Sequence, residues 1–229
     1  MNKTALIFLC LALLSGCQAS GIRGYWNRVP LLENNLEVSE DRFGAFCEKA
    51  AAAPEEDALA ALDVLFDRLR KDTVAYYVYS DWMDGAFYSL LSPCRNAALY
   101  SKAVDRMVRD GILDQSEYES RIQRREWMGY NQKGATATVP GVIFKERTLV
   151  LVLDQGCPSC KEALTSLAAE WADARRIAVC CGYGAIPALP GWEYLSEEPS
   201  RAVFDPKMTP IYFVVSADGI VETPYTLVF

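Results

Sequence analysis

Thr148-Leu149-Val150-Leu151-Val152-Leu153-Asp154-Gln155-Gly156-Cys157-Pro158-Ser159-Cys160 carries two structural signals back to back. Its first six residues form an apolar run without polar alternation, the pattern of a strand buried on both faces. Beyond Cys160, the residues Leu164, Leu167, Ala168 and Trp171 recur at i, i+3, i+4 and i+7, so helical periodicity takes over. This junction predicts Cys157 near a helix N-cap and Pro158 at the first helical position, where a missing N–H costs nothing. Unpaired N–H groups and the positive end of the helix favour a thiolate over a thiol there. Cys160, one turn further in, can reach back to close a small disulfide ring. Cys157 and Cys160 are therefore the candidate catalytic residues, with thiol–disulfide exchange as their chemistry. An inert bridge and half of a zinc site are the other uses of a C-x-x-C spacing.

The N-terminus carries a second signal. Lys3 supplies a positive start and Ala5 to Leu14 an apolar stretch too short to span a bilayer comfortably. Leu14-Ser15-Gly16-Cys17 follows, and it resembles the lipobox of bacterial lipoproteins. The resemblance implies removal of residues 1–16, acylation of Cys17 and a membrane tether through that lipid. An ordinary cleaved signal peptide is the alternative.

Composition narrows the chemistry. Loss of residues 1–16 removes Lys3 and no acid, moving the formal charge from −7 to −8. That balance argues against nucleic acid and against electrostatic docking on anionic lipid. The chain contains no histidine, which excludes Ser-His-Asp and Cys-His mechanisms and imidazole-dependent metal sites. Dithiol exchange needs neither a histidine nor a cofactor, and no metal site is assigned. With Cys10 lost in the leader and Cys17 acylated, six of the eight cysteines remain as thiols: Cys47, Cys94, Cys157, Cys160, Cys180 and Cys181. An exported chain permits a bridge between Cys47 and Cys94 without demanding one.

Periodicity divides the chain. Residues 1–16 read as the signal peptide, 17–37 as tether and lead-in, 38–133 as a helical domain and 134–229 as an α/β domain. In the helical part, Pro54-Glu55-Glu56-Asp57 opens a helix whose buried face is Leu59, Leu62, Phe66 and Leu69. The aromatics of residues 74–91 read as core. Asn96 caps the helix that Gly111 ends, and Asp114 with Glu117 makes a capping-box-like start to the next. Arg121, Arg124 and Arg125 read as a solvated face. Gly134 to Gly141 reads as a linker. Strands are expected at 148–153, 176–181, 210–216 and 219–223, with Asp218-Gly219 as the turn between the last two.

Two parallel strands joined by a helix, then an antiparallel pair, is the element order of the thioredoxin core. Met208-Thr209-Pro210, at the start of the third core strand, strengthens that resemblance. In thioredoxin-like proteins the proline at this point is cis and packs against the dithiol. The resemblance thus makes Thr209 and Pro210 substrate-binding residues, Thr209 offering backbone groups to an incoming segment. The Thr-Pro pair looks like that of bacterial periplasmic reductases. The helical half, with Tyr25-Trp26 and Ser92-Pro93-Cys94-Arg95-Asn96-Ala97-Ala98-Leu99-Tyr100, resembles an N-terminal domain of unknown function in thioredoxin-like bacterial lipoproteins. In that group a loop like Leu189-Pro190-Gly191-Trp192 precedes the cis-proline strand.

The resemblance implies an α/β thioredoxin-like C-terminal domain, a central mixed sheet with flanking helices, preceded by an all-α N-terminal domain, although the family's closing helix is missing from this sequence. Three departures stand out. Gly156 replaces the usual aromatic, and Leu151 stands where many members bury a carboxylate, so Asp154 or water takes over the proton relay. Cys180-Cys181 ends the second strand on the dithiol side, as small buried residues or as auxiliary thiols. The implied function is a lipid-anchored thiol–disulfide oxidoreductase in the envelope of a Gram-negative bacterium, facing the periplasm. It would reduce disulfides of exported proteins or small molecules and draw electrons from a membrane donor. The alternatives are a non-enzymatic binding or assembly lipoprotein on the same fold and, with less support in a histidine-free chain, a copper(I) carrier.

Overall fold

Short polar residues ahead of apolar runs set the helix starts in the first half of the chain. The computed structural model describes residues 21–27, 29–154, 157–181, 189–195 and 202–228. The leader and the lipid-anchor candidate Cys17 lie outside the described residues. Asn35, Asp72 and Asn96 cap α1 (Leu36–Ala52), α3 (Thr73–Met83) and α4 (Ala97–Asp110), each accepting from a first-turn N–H. Between the first two of these, α2 (Glu55–Leu69) begins behind Pro54 with three acids in its first turn. Gly111 stops α4 at φ 69°, a left-handed conformation that a Cβ penalises. Asp114 Oδ1 accepts from Glu117 N–H at 2.8 Å and Glu117 Oε2 from Asp114 N–H at 3.0 Å. This reciprocal pair starts α5 (Gln115–Gly129).

Two compact units result, Met1–Arg121 and Ile122–Phe229. Every regular element described in the first is helical. Its core is aromatic: the Trp26 ring lies 5.2 Å from Phe46 and 5.7 Å from Tyr79, and Phe43 lies 5.5 Å from Tyr79. The buried Tyr79 keeps its polar end satisfied by donating to the Leu31 carbonyl at 2.7 Å. On α2 the buried face is Ala58, Ala61, Leu62, Leu65, Phe66 and Leu69, with Leu59 only half-buried. A π-helical turn, Asp84–Tyr88, prolongs α3.

The expected solvated face fails at Arg121. Its side chain is 7% exposed, 3.2 Å from Asp84, 3.8 Å from Asp81 and 3.9 Å from Glu117. Arginine spacing along one helix carries no information about acids brought opposite it by another element.

In the second unit a five-stranded sheet has the order β3-β2-β1-β4-β5. The strands are β1 (Thr148–Leu153), β2 (Arg175–Cys180), β3 (Glu193–Leu195), β4 (Ile211–Val215) and β5 (Val221–Leu227). The first three are parallel, and β4 runs antiparallel to both β1 and β5. All six residues of β1 are buried, as a central strand covered on both faces requires. α6 (Pro158–Glu170) is the crossover from β1 to β2. Leu149, Leu151 and Leu153 pack with Cys160, Ala163, Leu164 and Leu167 of α6 in one apolar cluster. On the other side Val150 pairs with Phe213, whose ring lies 6.0 Å from Phe204 and 5.4 Å from Tyr225.

Two features differ from the sequence expectations. The edge strand β3 was not anticipated; Arg175 clips it to β2 by a two-pronged bond to Glu193, 2.8 and 2.7 Å. Residues 134–137 also do not form a free linker. Gly134 donates to Val221 O at 2.8 Å, Val221 to Ala135 O at 2.9 Å and Ala137 to Gly219 O at 2.8 Å. Asn131 at φ 52° anchors the approach, donating to Thr138 O and accepting from Thr138 N–H. These bonds hold residues 134–137 within the second unit.

Candidate active site

The site begins with the polarity of β1 and α6. The strand delivers the chain to Asp154, whose carbonyl accepts from Cys157 N–H at 3.3 Å. Cys157 is the N-cap of α6, at φ −94° and ψ 113°, and Pro158 occupies the first turn without wasting a donor. Cys160 N–H returns to Cys157 O at 3.1 Å, closing the turn that sets the two thiols on one side of the helix. Their exposures differ: Cys157 is half-buried, whereas Cys160 is 2% exposed within the β1–α6 cluster. Arg176 holds the far end of α6 by donating to Ala168 O at 2.7 Å.

The two sulfurs sit in opposite fields. Burial pushes the Cys157 thiol up, yet hydrogen bonds from the Cys160 thiol, the Ser159 hydroxyl and the N–H groups of Cys160 and Ser159 outweigh it, leaving its pKa below the ordinary 9.0. The Ser159 Oγ lies 3.0 Å from Cys157 Sγ. Burial pushes Cys160 up to about 12, reinforced by its bond to Cys157 and by the neighbouring negative charge. Asp154 N–H and the Thr209 hydroxyl pull the other way.

The structure brings Thr209 and Pro210 to this point. The Thr209–Pro210 bond is cis, and Thr209 reaches the Cys160 sulfur. The Thr209 hydroxyl also donates to Pro206 O at 3.0 Å.

Cys180 pairs in register with Leu153, on the strand position before the site, and Cys181 N–H donates to Leu153 O at 2.8 Å. Both are buried, at 8% and 1% exposure. Leu151 lies within the apolar cluster, so no carboxylate occupies its place beside Cys160. The Asp154 backbone, and not its side chain, supplies the contact seen at Cys160. Ser159 and this backbone donor were missed in the sequence because only the folded β1–α6 junction brings them to the sulfurs. Gly156 lies outside the described residues. Among the described residues no cluster of three or more metal-ligating side chains forms.

No family model matches the chain, and no curated protein does. A solved structure, that of a thioredoxin-like protein from Bacteroides caccae, superposes with a TM-score of 0.63 at 17% identity, covering 91% of this chain and 88% of its own. Parallel β1 and β2 around α6, an antiparallel β4–β5 pair and this superposition together make the fold thioredoxin-like.

Proposed function

We propose that this chain is a thiol–disulfide oxidoreductase that reduces disulfides of exported proteins or small molecules. The observation that carries the proposal is the asymmetry of the dithiol: Cys157, half-buried at the head of α6 with the Ser159 hydroxyl 3.0 Å from its sulfur, beside Cys160, which is 2% exposed. The Cys157 thiolate attacks one sulfur of the substrate disulfide, forming a mixed disulfide and expelling a substrate thiolate that takes up a proton. In that intermediate Cys157 no longer carries the charge and the hydrogen bond that raised Cys160. Cys160 then loses its proton more easily, with Asp154 N–H and the Thr209 hydroxyl to receive the negative charge. Its thiolate attacks Cys157, releasing the second substrate thiol and leaving a Cys157–Cys160 disulfide. Two electrons and two protons pass to substrate.

In the same reading Thr209 and Pro210 receive the substrate segment and Cys180 and Cys181 stand behind the dithiol as auxiliary thiols. Acylated Cys17 holds the protein in the envelope of a Gram-negative bacterium, facing the periplasm, where a membrane electron donor reduces the disulfide again.

The test uses the full chain and a fluorescent peptide containing one disulfide. Wild type reduces it stoichiometrically, Cys160→Ser stops at a covalent peptide adduct on Cys157, and Cys157→Ser does nothing. If the peptide survives both wild type and Cys160→Ser while Cys157 still alkylates, the oxidoreductase reading fails.

A further inference from the structure

The first unit holds two thiols that the dithiol reaction does not use, Cys47 on α1 and Cys94 in the loop after the π-helical turn. Far apart in sequence, both line a single cavity of about 360 Å³ together with Phe43, Trp82 and Pro93. Neither position depends on a loose segment. The Cys94 loop is fastened to the π-helical turn by Ser92 Oγ to Ala86 O at 2.6 Å, Arg95 Nε to Tyr88 O at 3.0 Å and Asn96 N–H to Phe87 O at 3.0 Å. Cys94 N–H in turn donates to Ser92 Oγ at 3.1 Å. That turn faces α1 through Phe87, whose ring lies 6.0 Å from Phe43, and Phe43 stacks on Trp82 at 5.9 Å. Phe43 precedes Cys47 by one helical turn, so both side chains leave α1 on the same face.

We propose that Cys47 and Cys94 are a second dithiol that closes into a disulfide, clasping the Cys94 loop to α1, with a low-molecular-weight disulfide as the oxidant. The step balances as two protein thiols and one small disulfide giving one protein disulfide and two small thiols; two electrons and two protons go to the small disulfide. Burial, and then the charge of Cys94, push Cys47 well above the thiol range, while burial and then the charge of Glu48 raise Cys94. Both are therefore protonated at neutral pH and exchange slowly. Once closed, the pair carries no ionisable group of its own in a pocket that Glu40, Glu48 and Asp81 also line, and it cross-links a loop of several tens of residues, which restrains the unfolded chain.

The test exposes reduced full-length Cys157→Ser/Cys160→Ser protein to oxidised glutathione, in buffer and in urea, followed by peptide mass mapping. The background removes the first dithiol, so failure here leaves the oxidoreductase proposal untouched. The expected result in buffer is one cross-linked pair of peptides carrying Cys47 and Cys94, two hydrogens lighter, with loss of alkylation at both positions. Oxidation should be faster at pH 9 than at pH 7 and should raise the melting temperature. Separate glutathione adducts on the two cysteines, retained alkylation at both, a link of either to Cys180 or Cys181, or a Cys47–Cys94 link forming only in urea would each overturn the proposal.

Discussion

Ser159 separates two cysteines and also serves one of them. Its Oγ lies 3.0 Å from Cys157 Sγ, and hydrogen bonds to that sulfur are what overcome the cost of burying its charge. Ser159→Ala removes one donor and leaves the N–H groups in place. Alkylation of Cys157 at neutral pH should slow by about threefold to tenfold, the upper figure corresponding to an unscreened hydrogen bond to a charged group. An unchanged rate would show that the helix N–H groups alone hold the thiolate. Cys160 titrates in the other direction. Below its ordinary 9.0, folded and unfolded chains both keep the proton; from there to about 12 only the folded chain does. Stability from this group is thus complete below 9.0 and is lost as pH rises through that window. Cys47 is raised by burial and adds the same slope, so Cys160→Ala should flatten the alkaline loss in urea melts without abolishing it.

Elements were legible in proportion to how local their causes are. β1 and α6 could be read because an apolar run and a helical repeat each span enough residues to declare a period, and the Asp114–Glu117 box because both bonds close within one turn. β3 was invisible: Glu193-Tyr194-Leu195 is too short for a period and exists through its register with β2 and the Arg175–Glu193 clip. The dithiol was legible because Cys157 and Cys160 are one turn apart. The contact of Thr209 with Cys160 was reachable only through family resemblance, since the sheet brings it from the start of β4. Arg121 was misread for the same reason, and the two readings separate experimentally. A solvated arginine tolerates Arg121→Met with a change inside about 0.5 kcal/mol. The buried arginine beside Asp84, Asp81 and Glu117 predicts a loss of about 1–2 kcal/mol in chemical denaturation, because its partners are partly exposed.

At the scale of the whole chain, composition isolates the reaction's titration. With no histidine, no side chain has an ordinary pKa between about pH 5 and pH 8. Among the described residues, the groups that the fold shifts move away from that window. Asp67 and Glu193 are held lower by Arg106 and Arg175, while burial raises Cys47, Cys94, Cys160, Tyr76 and Tyr79. Cys157 alone moves toward it from the alkaline side. The rate of peptide-disulfide reduction should therefore rise with pH as one smooth titration with an inflection below 9.0, without a falling limb in the neutral range. The same group acts on stability with a fixed sign: its lowered pKa gives a contribution complete above 9.0 and lost as pH falls through the folded value. Cys157→Ser should remove both the rate and this part of the stability profile, leaving the far-ultraviolet spectrum unchanged. A bell-shaped rate profile between pH 5 and pH 8 would require a second proton carrier and would overturn this single-group reading.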